Sequence, residues 1–323
     1  MTVHSTSSPR RSANGDTAHH RPAITFRHTI PSEQFPAERD RYVLYFHYGC
    51  PWAQRALIVR ALKGLDNIIG LVELDGKDPV RGWEFTGVRG PDRDPYYGVK
   101  YLRDLYLRAE PHYNGRITVP VLWDLKNETI VNNESSDIIS FLYYAFDEFL
   151  PLQDRESNKQ DGGFRPPHLI KEIDAFNNWV FDTVNNGVYR IGFATSQQVY
   201  DENVWKLFNA LDRLEVYLGE PGHSPYLFGE HITEPDIRLF TSIVRFDCAY
   251  YTIFKCNVKM IRQDYPNLHA WLRRLYWDES DRTKGGAFKN TTKFDIIKGG
   301  YTRAFGGPHA IVPAGPLPYI MPL

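Results

Sequence analysis

A single cysteine stands where an extended segment meets a helical one. Residues 46–62 read FHYGCPWAQRALIVRAL, with Cys50 directly before Pro51. The first turn of a helix tolerates proline, because the amide that proline lacks has no partner there anyway. Cys50 is therefore expected at the helix cap, facing unpaired backbone N–H groups and the positive end of the helix dipole. Such a place stabilises a thiolate and lowers the thiol pKa from the ~8.5 of an unperturbed cysteine. The position suits a nucleophile, although a small buried hydrophobe at a turn would use the same residue. A dithiol redox pair needs a second cysteine three positions on, and that position holds Ala53. A mixed disulfide formed at Cys50 must then be resolved by an external thiol.

Two further stretches bear on that chemistry. Residues 118–124, TVPVLWD, carry a proline inside an apolar run. A proline there ends a strand, occupies an edge, or makes a special turn. In thiol-handling folds a cis Val-Pro bond, here Val119-Pro120, lies opposite the catalytic helix and leaves backbone to pair with a peptide substrate. Residues 132–138, NNESSDI, place Glu134 and Ser135 where a short strand hands over to a helix. Backbone N–H groups at such a point bind a carboxylate, and Glu134 can accept from an ammonium group. A γ-glutamyl end presents both groups together, and glutathione, the natural external thiol, has one. Ser135 or Ser136 as a plain N-cap, with Asp137 as a dipole partner, accounts for the same residues.

The elements around these residues are legible in outline. YVLYFHY (42–48) is rich in strand formers, and the apolar spacing after Pro51 predicts a helix up to Gly64. IIGLVELD (68–75) reads as a second strand, 83–98 as a long loop, and 101–109 as a helix. Residues 118–124 and 129–131 read as short strands, and a helix starts at Ser135 or Ser136. The order is β-α-β-α-β-β-α. A polar stretch, 153–167, resembles a linker, and beyond it the pattern is helical. One of these helices has a strong start signal: Thr233 as cap, Asp236 three positions on, and Ile232 poised against Ile237. The Gly/Pro-rich end, 299–323, is expected to pack as an irregular tail.

Bulk composition narrows the function. At 323 residues the chain suits two domains, and 42% hydrophobic with 24% charged residues is ordinary for a globular protein. A formal net charge of −1 without long charged blocks argues against nucleic acid or membrane partners. No apolar run approaches the ~18 residues of a membrane span. The 20 tyrosines, 19 phenylalanines and 7 tryptophans suit core mass or a pocket for flat ligands. Cys50, Cys248 and Cys256 make no disulfide framework, so a reducing compartment, the cytoplasm, is expected. The first residues lack the apolar stretch of a secretory signal. Their arginines and Ser/Thr residues leave a mitochondrial transit peptide as the alternative, which Pro9, Asp16 and Pro22 weaken. No Cys/His group has metal-ligand spacing, so no metal is expected.

Taken together, YGCPWAQRALIVRALKGL, HYNGRITVPVLWD, NNESSDII, NWVFDTVNNGVYRIGFATSQ, ITEPDIRLFTSIVRFD and the IVPAGP tail resemble the glutathionyl-hydroquinone reductases, or xi-class glutathione transferases. The resemblance implies an α/β plus all-α glutathione transferase fold. Its parts are a thioredoxin-like, glutathione-binding domain over 35–150 and an all-helical domain over 168–323, joined by the polar linker over 151–167 and preceded by residues 1–34, whose composition is that of a disordered tail. It implies Cys50 as nucleophile, with Tyr189 and Tyr301 facing a hydroquinone. Trp83, Arg116, Val119, Pro120, Glu134 and Ser135 match the positions that hold glutathione. A homodimer paired through the helical domains is also implied. The activity implied is glutathione-dependent removal of glutathione from S-glutathionyl-hydroquinones. An omega-type thiol transferase or a non-catalytic ligand-binding protein of the same fold are the alternatives. The family usually has Ala before the cysteine and His after CPWA; here these are Gly49 and Gln54, and Gln54 is expected to remove a cation from near the thiolate.

Overall fold

The computed structural model describes residues 25–159 and 161–323. The first half is built on strands β1 (Tyr42–Phe46), β2 (Ile69–Glu73), β5 (Val121–Asp124) and β6 (Thr129–Asn132), with helices α1 (Pro51–Leu62), α2 (Leu102–Ala109) and α3 (Ser135–Leu142). The sheet order is β2-β1-β5-β6. β1 runs parallel to β2 and antiparallel to β5, and β5 is antiparallel to β6. All five residues of β1 are buried, as expected for a strand covered on both faces. The register sets Tyr45 beside Val121 and Leu122 beside Asn132. The end of β1, the start of β5 and the end of β6 therefore lie at one edge of the sheet.

The loop expected over 83–98 is partly a hairpin. β3 (Gly76–Asp78) pairs with β4 (Gly82–Glu84), which carries Trp83. The segment after β4 is ordered by carboxylates rather than by a ladder. Asp75 accepts from the backbone N–H groups of Thr86, Val88 and Arg89 at 2.7, 2.8 and 2.9 Å. Asp94 accepts from Tyr97 N–H at 2.6 Å and from the Tyr45 hydroxyl at 2.6 Å.

The second half is helical: α4 (Ile170–Val180), α5 (Gly187–Gly192), α6 (Gln197–Gly219), α7 (Glu234–Ile243), α8 (Ile261–Asp264), α9 (Pro266–Trp277), α10 (Ala287–Asn290) and α11 (Phe294–Gly306). Two π-helical turns, Phe181–Asn185 and Phe246–Tyr250, come after α4 and α7. The start signal of α7 is present: Asp236 accepts from Thr233 N–H at 2.9 Å in a capping box. Helix α1 explains how the halves join. Nearly all of its residues are buried, including Gln54, Arg55 and Arg60, because it packs on α3 on one side and on α7 and α10 on the other. A helix apolar all round belongs inside a molecule, and ALIVRAL is such a sequence.

Three expectations need correction. Of the tail expected over 1–34, residues 1–24 lie outside the described residues, but residues 25–34 pack on the sheet. Phe26 and Ile30 are buried, and His28 N–H donates to Val131 C=O at 3.1 Å. Averaging their composition with the polar stretch before them hides these apolar anchors. The stretch 151–167 connects the halves but is docked: Phe164 is buried against Tyr143, with ring centroids 5.0 Å apart. Lys63 reaches across to Asp147 and to the Asp154 carbonyl at 2.8 and 2.9 Å. Finally, 299–306 is helical, not irregular. Burial of Phe294, Ile297, Lys298, Gly299 and Thr302 along α11 outweighs the low helix propensity of Gly299 and Gly300.

Candidate active site

The site forms at the shared edge of β1, β5 and β6. Cys50 is the N-cap of α1, with extended backbone (φ −84°, ψ 118°) and Pro51 in the first turn, as its sequence demands. Its Sγ lies 3.5 Å from the Val119 carbonyl, across from the cis Val119–Pro120 bond expected from TVPV. Cys248 and Cys256 are buried and distant from this role. Burial pushes the Cys248 thiol up to about 12, which leaves it protonated and inert.

The turn before Cys50 is shaped by His47. Gly49 N–H donates to His47 Nδ1 at 2.9 Å, which puts the ring proton of the neutral imidazole on Nε2. A Cβ at position 49 would fall 2.8 Å from His47 Cε1 and 2.9 Å from Nδ1, so an alanine here would require the imidazole to move from this place. Burial, helped by Arg89 and Lys77, pushes the His47 pKa down to about 4. The imidazole packs on the Trp83 ring, centroids 5.0 Å apart, and Lys77 stands 5.1 Å from the centroid of the same indole. Lys77 is an exposed residue as a whole, yet shielding of its ammonium, followed by repulsion from Arg116, lowers its pKa while Cys50 raises it. Lys77, Arg116 and Cys50 thus share one electrostatic neighbourhood.

Arg116 itself is exposed on the loop before β5, and its carbonyl accepts from the Tyr113 hydroxyl at 3.0 Å. Glu134, rather than Ser135 or Ser136, is the N-cap of α3. Its carboxylate accepts from Ser136 N–H at 3.3 Å and from the Ser135 hydroxyl at 3.3 Å. Ser135 is the first helical residue and is buried. The strand-to-helix junction is as expected, with the cap shifted by one residue because a longer side chain folds back over the turn.

A wall of aromatic rings faces this edge from the helical half. Trp52, two residues after Cys50, stacks toward Tyr189 at 6.4 Å between centroids, 27° apart in plane. The Tyr189 and Tyr301 hydroxyls are hydrogen-bonded at 2.7 Å, and Tyr250 joins Tyr301 at 3.2 Å. Phe193, Phe254 and Phe305 continue the wall outward. Burial raises the pKa of all three tyrosines, and Cys50 adds to the rise at Tyr189 and Tyr301. They remain phenols at neutral pH and can donate hydrogen bonds or protons.

Sequence spacing does not reveal Tyr250, because the π-helical turn ending on it breaks the 3.6-residue period that points along α7. His47 and Lys77 escape as well, since a lone histidine and a hairpin lysine give no pattern. Gln54 itself brings no cation, as its residue type implies. It is fully buried and accepts from the Arg245 guanidinium, so a cation from the helical half stands beside this turn. Among the described residues no His/Cys/Asp/Glu group could hold a metal ion.

Comparison with known proteins agrees with this geometry. Family models described as the N-terminal and C-terminal domains of glutathione S-transferase match residues 49–144 and 197–274. The chain is 47% identical to "Glutathione S-transferase omega-like 2" of Schizosaccharomyces pombe, over 93% of this chain and 94% of that one. It is 45% identical to "Glutathionyl-hydroquinone reductase YqjG" of Escherichia coli, over 87% and 81%. Among solved structures, the glutathione-S-transferase Xi from Phanerochaete chrysosporium superposes with a TM-score of 0.87 at 46% identity, covering 97% of each chain. The Xi glutathione transferase ECM4 from Saccharomyces cerevisiae in complex with glutathione superposes at 0.85 and 38%, covering 94% and 99%. With the cysteine at its helix cap, the cis Val-Pro opposite and both domains in place, the chain belongs to the glutathione S-transferase family, in its xi-class branch.

Proposed function

We propose that the protein is a glutathione-dependent reductase that removes glutathione from S-glutathionyl-hydroquinones, giving hydroquinone and oxidised glutathione. The observation that carries this reading is a capping cysteine whose charge reaches Tyr189 and Tyr301, two of three hydrogen-bonded, neutral tyrosines. The E. coli relative named for that activity supports it. Glutathione lies along the sheet edge, its cysteinyl backbone at Val119 and Pro120. The γ-glutamyl end sits at Glu134 and Ser135, and Trp83 and Arg116 close the other side. The hydroquinone ring packs on the aromatic wall.

The Cys50 thiolate attacks the glutathionyl sulfur. The sulfur–ring bond breaks, its electron pair goes to the ring carbon, and Tyr189 or Tyr301 protonates that carbon. Cys50 is left as a mixed disulfide with glutathione. A second glutathione gives its thiol proton to the tyrosinate, restoring the phenol, and its thiolate attacks that disulfide, releasing oxidised glutathione and returning Cys50 as thiolate. The enzyme works as a homodimer paired through its helical domains, in the reducing cytoplasm.

Cys50→Ala is expected to lower hydroquinone release on the order of a thousandfold, as for removal of a nucleophile. Mass spectrometry after one turnover of the wild type should find one glutathione on Cys50. Full release by the alanine protein overturns the mechanism. The omega-like name of the S. pombe relative favours a second reading, transfer of thiols on mixed disulfides or dehydroascorbate. Equal rates on both substrate classes, unaffected by Tyr189→Phe and Tyr301→Phe, would favour it over the first.

A further inference from the structure

Among the described residues, a buried cation sits under the cysteine turn with no carboxylate bonded to it. Arg245 is fully buried where α7 gives way to the second π-helical turn. Its guanidinium donates to the Gln54 side-chain oxygen, to the Thr241 carbonyl at 2.8 Å and to the Tyr48 carbonyl at 3.1 Å. All three acceptors are neutral, and Nε has no hydrogen-bond partner among the described residues. Arg245 therefore grips the chain on both sides of Cys50, two residues before it and one helical turn after it. The tyrosines lie within reach of its charge, which pulls down against the rise at Tyr250 and Tyr301 and acts in the same sense on His47 and Cys248.

Burying a guanidinium among neutral partners is costly, and a pair of hydrophobic residues would fill the space more stably. The usual compensation is a carboxylate, and here the neighbour that α1 offers is an amide. We propose that Arg245 is the positioning cation of this site, holding the Cys50 turn through Tyr48 and Gln54 and giving the space between Cys50 and the Tyr250–Tyr301 pair a standing positive charge that favours an anion there. The anions served are the Cys50 thiolate and the electron-rich oxygens of a bound hydroquinone. Gln54 is part of the device, because a neutral acceptor orients the guanidinium without cancelling its charge. Among the described residues, the other charged or titratable groups around Cys50 and Arg245 are Lys77 on β3, Arg116 before β5, His47 on the turn, Tyr189 on α5, and Cys248 with its neighbours Asp247 and Lys298. None of them touches both flanks of Cys50.

The inference rests on Cys50 being the reactive thiol, and its test separates the two. Gln54→Glu keeps an oxygen for Arg245 and adds the missing negative charge. Cys50 is alkylated with iodoacetamide across pH in the full chain, where Cys248 and Cys256 are buried, and the alkylated site is read by mass spectrometry in both proteins. The wild type is expected to react with a midpoint well below that of an unperturbed thiol. In Gln54→Glu the midpoint should rise by about one pH unit, a tenfold loss of thiolate below it. Arg245→Lys, which keeps the charge but not the forked contacts, should hold the midpoint within a few tenths of a unit while lowering the thermal midpoint. The substitution at 54 also removes an amide donated to Thr292 at 2.9 Å, which thermal stability registers and the pH profile does not. A wild-type midpoint at the ordinary thiol value overturns the reading of Cys50 and this one with it. A depressed wild-type midpoint that Gln54→Glu leaves in place overturns the role of Arg245 alone.

Discussion

At the scale of single residues, the chemistry turns on which groups carry charge. His47 illustrates how burial decides this. Its folded pKa of about 4 lies below the unfolded value of ~6.5, so the unfolded chain binds the proton more readily between them. The contribution of a neutral His47 is complete above pH ~6.5 and is lost as pH falls toward 4. That loss amounts to about 3 kcal/mol from the width of the window. Urea unfolding at pH 7 and pH 4.5 should show this drop, and His47→Gln should flatten it. An unchanged slope in the variant would remove the imidazole from the account. Legibility in the sequence obeys the same logic. Cys50 is readable because Pro51 announces a helix start, and Pro120 because proline in a strand demands a reason. Tyr189 and Tyr301 are readable only through resemblance. Their roles depend on meeting one another across 112 residues, and no local spacing reports such a meeting.

At the scale of elements, caps and turns aim the side chains. Asp236 shows how much one cap residue can organise. Its carboxylate accepts from Thr233 N–H at 2.9 Å, Leu227 N–H at 3.0 Å and Trp271 Nε1–H at 2.8 Å, all in the interior. Asp236→Ala strands these three buried donors and also takes an acceptor from the Thr233 hydroxyl, 3.0 Å away; it is expected to cost about 3–5 kcal/mol, far beyond the ~1 kcal/mol of an exposed cap. Denaturant unfolding of the variant checks this, with a cost near 1 kcal/mol arguing for a merely local cap. The capping box is visible in ITEPD because its two residues are three apart. Trp271 and Leu227 are not, since they arrive from other elements. The π-helical turns are likewise invisible: an inserted residue leaves composition unchanged and shifts only phase, which is how Tyr250 comes to face inward.

At the scale of the whole molecule, α1 belongs to both halves. Arg55 donates to Asn185 Oδ1 at 2.9 Å, and Asn185 in turn donates to the Ser242 hydroxyl at 2.7 Å. This links the cysteine helix to the first π-helical turn and to α7. Asn185→Leu should lower the unfolding free energy by about 2–4 kcal/mol, since it takes an acceptor from a buried guanidinium. Fluorescence and circular dichroism should still report one coincident transition, because neither half can shed α1 without exposing it; two separated transitions would refute that. A length of 323 residues points to two domains but not to how firmly they share a helix. Lys298 ties the far end of the chain into the same assembly. Its ammonium ends on the Ala314 and Gly315 carbonyls at 2.9 and 3.1 Å, three residues before Tyr301 on the same helix. On a nascent chain the thiol turn leaves the ribosome early, whereas its aromatic counterpart cannot be braced until residues 314–315 have emerged. A half-made polypeptide therefore carries the cysteine turn without the aromatic wall that faces it.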